Sequence, residues 1–403
     1  MSKIFKTIFI AIGIAALFMI GCGEEGANKN NKAQINTEKK GDADRLVEEG
    51  KEFLSQGIPL KAREKFLKAL EVEPDHPLAL YGITIADSMH TFEVLNIVIM
   101  YINMALDPGF DKAKPIGSLD DLIDAALEGL ATDIAEEAVD YVNQCLEKGA
   151  TEFIMDKPIP IIIDFKHECD VQGRFGKEEL YAIWAFNLTV VGIMKHAIAL
   201  DLDFDMGLVQ QIANVDFSDL TKALGEIVDI LLAVMNDPGH PNFLGIEPGE
   251  IPTYQQAGRE LGLGLLKLGE AVSAITQKPA DNADDIFGYT DLNGNGAWDP
   301  GEPLRIPCMG TLDETQTNLM YAILDVASDL GYSFIDYSEY DPDPANPNPF
   351  DLATLNEVLQ VLGIPSILPS IEIDFGIMYV NPDPNDLRNK LINILNLLDQ
   401  ILP

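Results

Sequence analysis

The chain has 403 residues, enough for two or more domains or for one extended helical array, and its 47% apolar content excludes a disordered polymer. Lys and Arg total 27 against 65 Asp and Glu, a net charge of −38 that has the wrong sign for holding phosphates and excludes nucleic acid as a partner. The acidity fits solubility or a salty habitat as well as it fits binding of cations or basic partners.

Met1 to Cys22 carries Lys3 and Lys6, then an apolar run, then Gly21 before the cysteine, which is the pattern of a secretion signal over residues 1–21. Its end, Met19-Ile20-Gly21-Cys22, resembles the processing box of bacterial lipoproteins, with methionine where leucine is usual. That resemblance implies that Cys22 becomes the lipid-modified first residue of the mature protein. Acyl chains, at about 0.8 kcal/mol per buried CH₂, would then anchor it to a membrane without a spanning helix. A plain signal peptide or an uncleaved anchor helix is the alternative. Residues 22–41, rich in Gly, Asn, Lys and Glu, read as a flexible tether. Gly23 after the cysteine, in place of aspartate, favours the outer membrane over the inner by analogy with enterobacterial sorting.

Asp42 to Pro77 has Leu46, Gly50 and Phe53 in a first helix, Gly57 at a turn, Ala62, Phe66 and Ala69 in a second helix, and Pro74 ending it. Small Gly50, Ala62 and Ala69 let two helix backbones approach, and Phe53 and Phe66 fill the space between them. This pattern resembles the tetratricopeptide (TPR) repeat, a helix–turn–helix unit of 34 residues that stacks with its neighbours. Glu49 departs from it, since the family usually carries leucine there. Pro77, Leu80, Ile83 and Pro108 continue the register, while Asp87 and Asn103 break it, so residues 42–110 are expected to hold TPR-like hairpins with a degenerate second one whose second helix starts near Phe92.

Residues 111–280 read as helical: Ser118 with Asp121 caps one helix, and others run over 132–148, 177–200 and, behind Ser218, up to Met235. Lys195 and His196 interrupt the apolar run of 177–200, which marks it as a buried core helix and not a membrane span. Pro158 and Pro160 make 158–165 an extended connector more than a strand. The helix near 253–276 bears Gly258, Gly262, Gly264 and Gly269, each costing roughly 1 kcal/mol relative to alanine. Close approach of a neighbouring helix offsets that cost in the ordinary case, and a ligand lying on the bare surface is the sharper alternative. In the C-terminal helical region, 311–403, Thr311 with Glu314 reads as a capping box for a helix ending near Gly331. Residues 351–362 read as helix, 371–380 as a strand, and the stretch with Leu387, Leu391, Ile394, Leu395 and Leu398 as a last amphipathic helix.

Residues 281–310 hold the one stretch with site chemistry, D-L-N-G-N-G-A-W-D-P-G-E from Asp291 to Glu302. It resembles the twelve-residue calcium loop of the EF-hand at every defined position. The resemblance implies side-chain oxygens from Asp291, Asn293 and Asn295, the carbonyl of Ala297, Asp299 directly or through water, and both oxygens of Glu302. Gly296 permits the sharp turn. Phe287-Gly288-Tyr289-Thr290 before the loop and Pro300, Gly301 and Pro303 at its end rule out the flanking helices of a paired sensor hand, so the calcium is expected to be structural. An Asn/Gly-rich turn without metal is the alternative.

The sequence has no H-E-x-x-H pair, no G-x-S-x-G elbow and no phosphate-binding G-x-x-x-x-G-K-[ST]. His167-Glu168-Cys169-Asp170 has metal-capable side chains without helical convergence. With Cys22 lipidated, Cys169 and Cys308 are the candidate disulfide pair and Cys145 a core thiol. The expectation is a mainly α protein of TPR-like hairpins continuing into a helical array or bundle. Its expected function is that of a non-enzymatic, membrane-tethered scaffold for an envelope protein partner. The rival is a binder of a small apolar ligand, associated with solute uptake, near Trp184 and the glycine-rich helix.

Overall fold

A computed structural model of the chain describes residues 41–105, 132–163, 166–202, 211, 215, 220–279, 285–299, 301–306, 310–335, 349–361, 363, 366, 368–380 and 382–400. The expected signal, Cys22, the expected tether as far as residue 40, the helix expected over 118–130, Ser218 and Cys308 lie outside these residues. The described chain is mainly helical with a few short strands, as the sequence predicts.

Helices α1 (Asp42–Ser55) and α2 (Pro59–Val72) form the expected hairpin. Gly57 turns it at φ +67°, and Pro59 opens α2, where its missing N–H costs nothing. Helix α3 (Pro77–Ala105) packs next. The Phe66 ring is a wedge in this joint: it is fully buried, and a Cβ on either Gly50 or Gly82 would lie 2.5 Å from it. The degenerate second hairpin does not form. Residues 77–105 are one unbroken helix of 29 residues, because no glycine or proline follows Gly82 until Pro108 to stop it.

After α4 (Thr132–Lys148), strands β1 (Phe153–Ile163) and β2 (Lys166–Phe175) pair antiparallel, where an extended connector was expected. The prolines are accommodated and not excluded: the register shifts between Met155 and Ile159, which leaves Pro158 in the irregularity, and Pro160 sits opposite Asp170 on a sheet that has two strands among the described residues. Strand β1 lies across α1 and α3, and Phe153, fully buried, meets Phe66, Tyr81 and Phe175 at centroid distances of 6.2, 5.6 and 6.3 Å.

Helix α5 (Lys177–Ala199) packs against α3, α4 and α7. By length and composition it is the one helix among the described residues apolar enough to cross a membrane, but 67% of its apolar window is buried against the protein's own α3, α4 and α7. Helix α6 (Leu220–Met235) precedes α7 (Ile251–Gln277), which packs more extensively on α5 than any other pair of elements does. Strands β3 (Gly288–Tyr289), β4 (Leu304–Ile306) and β5 (Gly310–Thr311) then make a small antiparallel sheet.

Helix α8 (Glu314–Phe334) is capped by Asp313 with Gln316, not by Thr311 with Glu314: the strand holds Thr311, and Asp313 is the first residue free to accept an N–H. It also runs on through Gly331, which serves close packing and not termination. Beyond it come β6 (Phe350–Asp351), a 3₁₀ turn (Leu352–Thr354), α9 (Leu355–Val361), β7 (Glu372–Ile373), α10 (Phe375–Val380) and α11 (Asp386–Asp399). The strand expected over 371–380 is thus two residues long, and Phe375, Met378 and Tyr379 instead use helical spacing to reach the core.

Candidate metal centre

The loop from Asp291 to Glu302 joins β3 to β4, and its ends are tied where the Thr290 N–H donates to the Pro303 carbonyl at 2.9 Å. Gly294, Gly296 and Gly301 have φ of +75°, +81° and +96°, so the chain coils tightly at positions open only to glycine at low cost. Asp291 accepts from the Gly294 and Gly296 N–H groups at 2.6 and 2.7 Å, Asn293 from Asn295 N at 2.9 Å, and Asn295 from Ala297 N at 2.8 Å. These backbone donors, that of Gly296 foremost, hold the Asp291 carboxyl below the usual range for aspartate.

The amides of Asn293 and Asn295 both donate to Asp299 Oδ2, at 2.5 and 2.6 Å. Glu302 closes the loop. It is buried, at 4% exposure, and its two carboxylate oxygens split between the Leu292 N–H at 2.8 Å and the Asp299 N–H at 3.0 Å. The side chains of Asp291, Asn293, Asn295, Asp299 and Glu302 therefore form one hydrogen-bonded unit. Its donor set is all oxygen, which suits a hard cation such as calcium, and each carboxylate oxygen keeps lone-pair capacity beyond the bonds above. Among the described residues no three His, Cys, Asp or Glu side chains draw together to hold a metal by themselves. Any cation here would rely on the asparagine oxygens and the Ala297 carbonyl as well.

The sequence reading missed the supports of this loop. Trp298 donates from Nε1 to the Glu302 carbonyl at 3.2 Å, and its ring lies 5.9 Å from that of Tyr321 on α8. On the other side, Asp285 to Phe287 is a buried strap whose backbone is held by charged side chains in place of a regular ladder. Phe287 N–H donates to Glu179 Oε1 at 2.9 Å, and Phe287 O accepts from Lys278 Nζ. Asp285 pairs with Arg174 at 2.5 Å and with Lys278 at 2.9 Å, and Lys278 pairs with Glu178 at 2.5 Å. Burial, reinforced by Glu178, pushes the Glu179 carboxyl well above its ordinary value. The adjacent Glu178 and Glu179 at the start of α5 were the available sequence signal.

The glycine-rich helix α7 is filled by the protein itself at three of its four bare positions. A Cβ on Gly264 would meet Thr189 Oγ1 at 2.5 Å and the Ala185 carbonyl at 3.0 Å on α5, one on Gly262 would meet the Gly331 carbonyl at 3.0 Å on α8, and Gly258 lies under the Tyr379 ring. Of the four, only Gly269 has nothing within 4 Å among the described residues. Trp184 is covered in part by Lys267, whose Nζ lies 4.3 Å from the ring centre, and by a stacked Tyr181 at 6.4 Å. Two apolar cavities flank Phe287, of about 40 and about 20 Å³, room for waters and not for a metabolite.

Cys169 is disulfide-bonded, and Cys145 is a free thiol on α4 whose burial pushes its pKa up to about 12, so it is inert. No protein-family profile, no curated protein and no solved structure matches the chain.

Proposed function

We propose that the chain is a non-enzymatic lipoprotein of the bacterial cell envelope, tethered through Cys22, that serves as a TPR-type scaffold for a protein partner and carries a structural calcium in the Asp291–Glu302 loop. The observation that carries the scaffold reading is the Phe66 joint, where Gly50 on α1 and Gly82 on α3 admit one aromatic wedge between stacked helices. Because β1 lies across α1 and α3, the surface left for a partner is the outer side of α2, where Leu60 and Val72 are 51% and 57% exposed. A disulfide at Cys169 fits an oxidising compartment outside the cytoplasm. The calcium reading rests on five oxygen-bearing side chains bound into one unit and closed by a buried glutamate.

Three measurements test this. Cys22→Ser should move the protein from the membrane to the soluble fraction, and persistent membrane association would refute the lipid anchor. Terbium luminescence sensitised by Trp298 should appear in the wild type and vanish in Asp291→Ala; silence in both would make the loop a metal-free turn. Native mass spectrometry of protein purified from its own cells should show a co-purifying protein, whereas a tightly held organic molecule would favour the small apolar ligand instead.

A further inference from the structure

Helices α2, α3 and α4 meet at a buried charge. Asp87, in the middle of α3, is fully buried; its Oδ1 accepts from Arg63 Nε of α2 at 2.7 Å, and its Oδ2 is buried with no hydrogen-bond partner among the described residues. Arg63 also pairs with Glu137 of α4, whose side chain is 54% exposed. One guanidinium thus divides its charge between an interior carboxylate and a rim carboxylate.

The other groups around Asp87 do not complete its shell. On α3, His90 lies one turn along with its own Nε2 buried and unpartnered, its Nδ1 being 3.1 Å from Glu93. On α4, Tyr141 stands near Arg63 and Asp87, with Asp140 beside it. From α5, neutral Asn187 spends its amide on Ser88 Oγ and the Ile183 carbonyl, both at 2.8 Å. None of them is a lysine or an arginine.

We propose that Asp87, Arg63 and Glu137 form a proton-operated lock that seats the α1–α2 hairpin on α3 and α4. With a proton on Asp87 the hairpin is held, because the buried group is neutral and Arg63 keeps Glu137 at the rim. Loss of that proton to solvent leaves an interior carboxylate with one bare oxygen, which is relieved when the hairpin lifts and water reaches Asp87 and Arg63.

Burial, against the pull of Arg63, pushes Asp87 from its ordinary 3.8 up to about 7 in the closed state. In the lifted state it returns to the ordinary value. Below that value both states hold the proton and opening does not depend on pH. Between the two values only the closed state holds it, so opening grows about tenfold per pH unit, and above about 7 it levels off.

The test is amide hydrogen exchange on the whole chain at pH 5, 6, 7 and 8, expressed as protection factors corrected for intrinsic exchange. Wild-type protection in α1 and α2 should fall about tenfold per unit up to pH 7, while α5 holds its protection, and Asp87→Asn should flatten the α1–α2 profile. Parallel profiles in wild type and variant would overturn the lock, as would an equal loss in α5. Should Asp87→Asn fail to fold, carbon-detected NMR of the wild-type Asp87 carboxyl decides: a midpoint near 7 supports the lock, and one near 4 refutes it.

Discussion

Four glycines on α7 look alike in the sequence, and only their surroundings separate them. A methyl at Gly264 would run into the backbone of α5, with Thr189 N at 2.8 Å and the Ala185 carbonyl at 3.0 Å, and backbone cannot step aside as a side chain can. Gly264→Ala should therefore cost about 1–3 kcal/mol, the usual range for overpacking. Gly269 has no described residue within reach of the same methyl, so Gly269→Ala should gain about 0.4–1 kcal/mol by restricting the unfolded chain. Denaturant melts of the two variants check both signs at once; destabilisation at Gly269 would mean that the vacant position is used by something else. The sequence tells that the helix must be crowded but not against what, because the crowding atoms come from residues far away in the chain: Thr189 and Ala185 upstream, Gly331 and Tyr379 downstream. The same limit hides Asp87: its break in the repeat register is visible, and its burial beside Arg63 is not.

At the scale of elements, helical spacing was readable wherever one face is apolar and breakers stand at the ends, as in α1, α2, α4, α7 and α11. It failed where those signals are missing or misleading. Helix α3 is apolar nearly all round and carries no stop, so a turn expected near residue 91 gives way to an unbroken helix. The β1–β2 pair was hidden by two prolines that a two-stranded sheet tolerates at an irregularity. The Asp291–Glu302 loop could be singled out because its residues are contiguous; its anchoring through Trp298, Tyr321 and the Asp285–Phe287 strap could not, since those contacts are tertiary. The α1–α2 hairpin depends on one wedge, and Phe66→Ala should cost about 3–5 kcal/mol, as for other buried phenylalanines. Because the wedge also touches Phe153 of β1 at 6.2 Å, the loss should loosen β1 as well as the hairpin. Limited proteolysis of that variant should cut near the α1–α2 turn before the α5–α7 core; simultaneous cleavage everywhere would show that the hairpin has no independent stability.

At the scale of the whole molecule, a net charge of −38 opposes the compact state by self-repulsion, which salt relieves by shortening the range of the field. Raising NaCl from about 0.01 M to about 1 M shrinks the Debye length from about 30 Å to about 3 Å. The melting temperature should climb over that range in the wild type and in Asp291→Ala alike, since one carboxylate among 65 acidic residues barely alters the total. Calcium should act differently. A cation held by the native loop and not by the unfolded chain stabilises by mass action, about 2.7 kcal/mol when its concentration is a hundred times Kd. At matched ionic strength, calcium should therefore add a further rise in wild type and nothing in Asp291→Ala. An equal calcium response in both proteins would assign the whole effect to screening of the acidic surface and remove the loop as its source. A sodium response without any calcium increment would leave the fold acidic by habitat alone, with the twelve-residue loop held by its own hydrogen bonds.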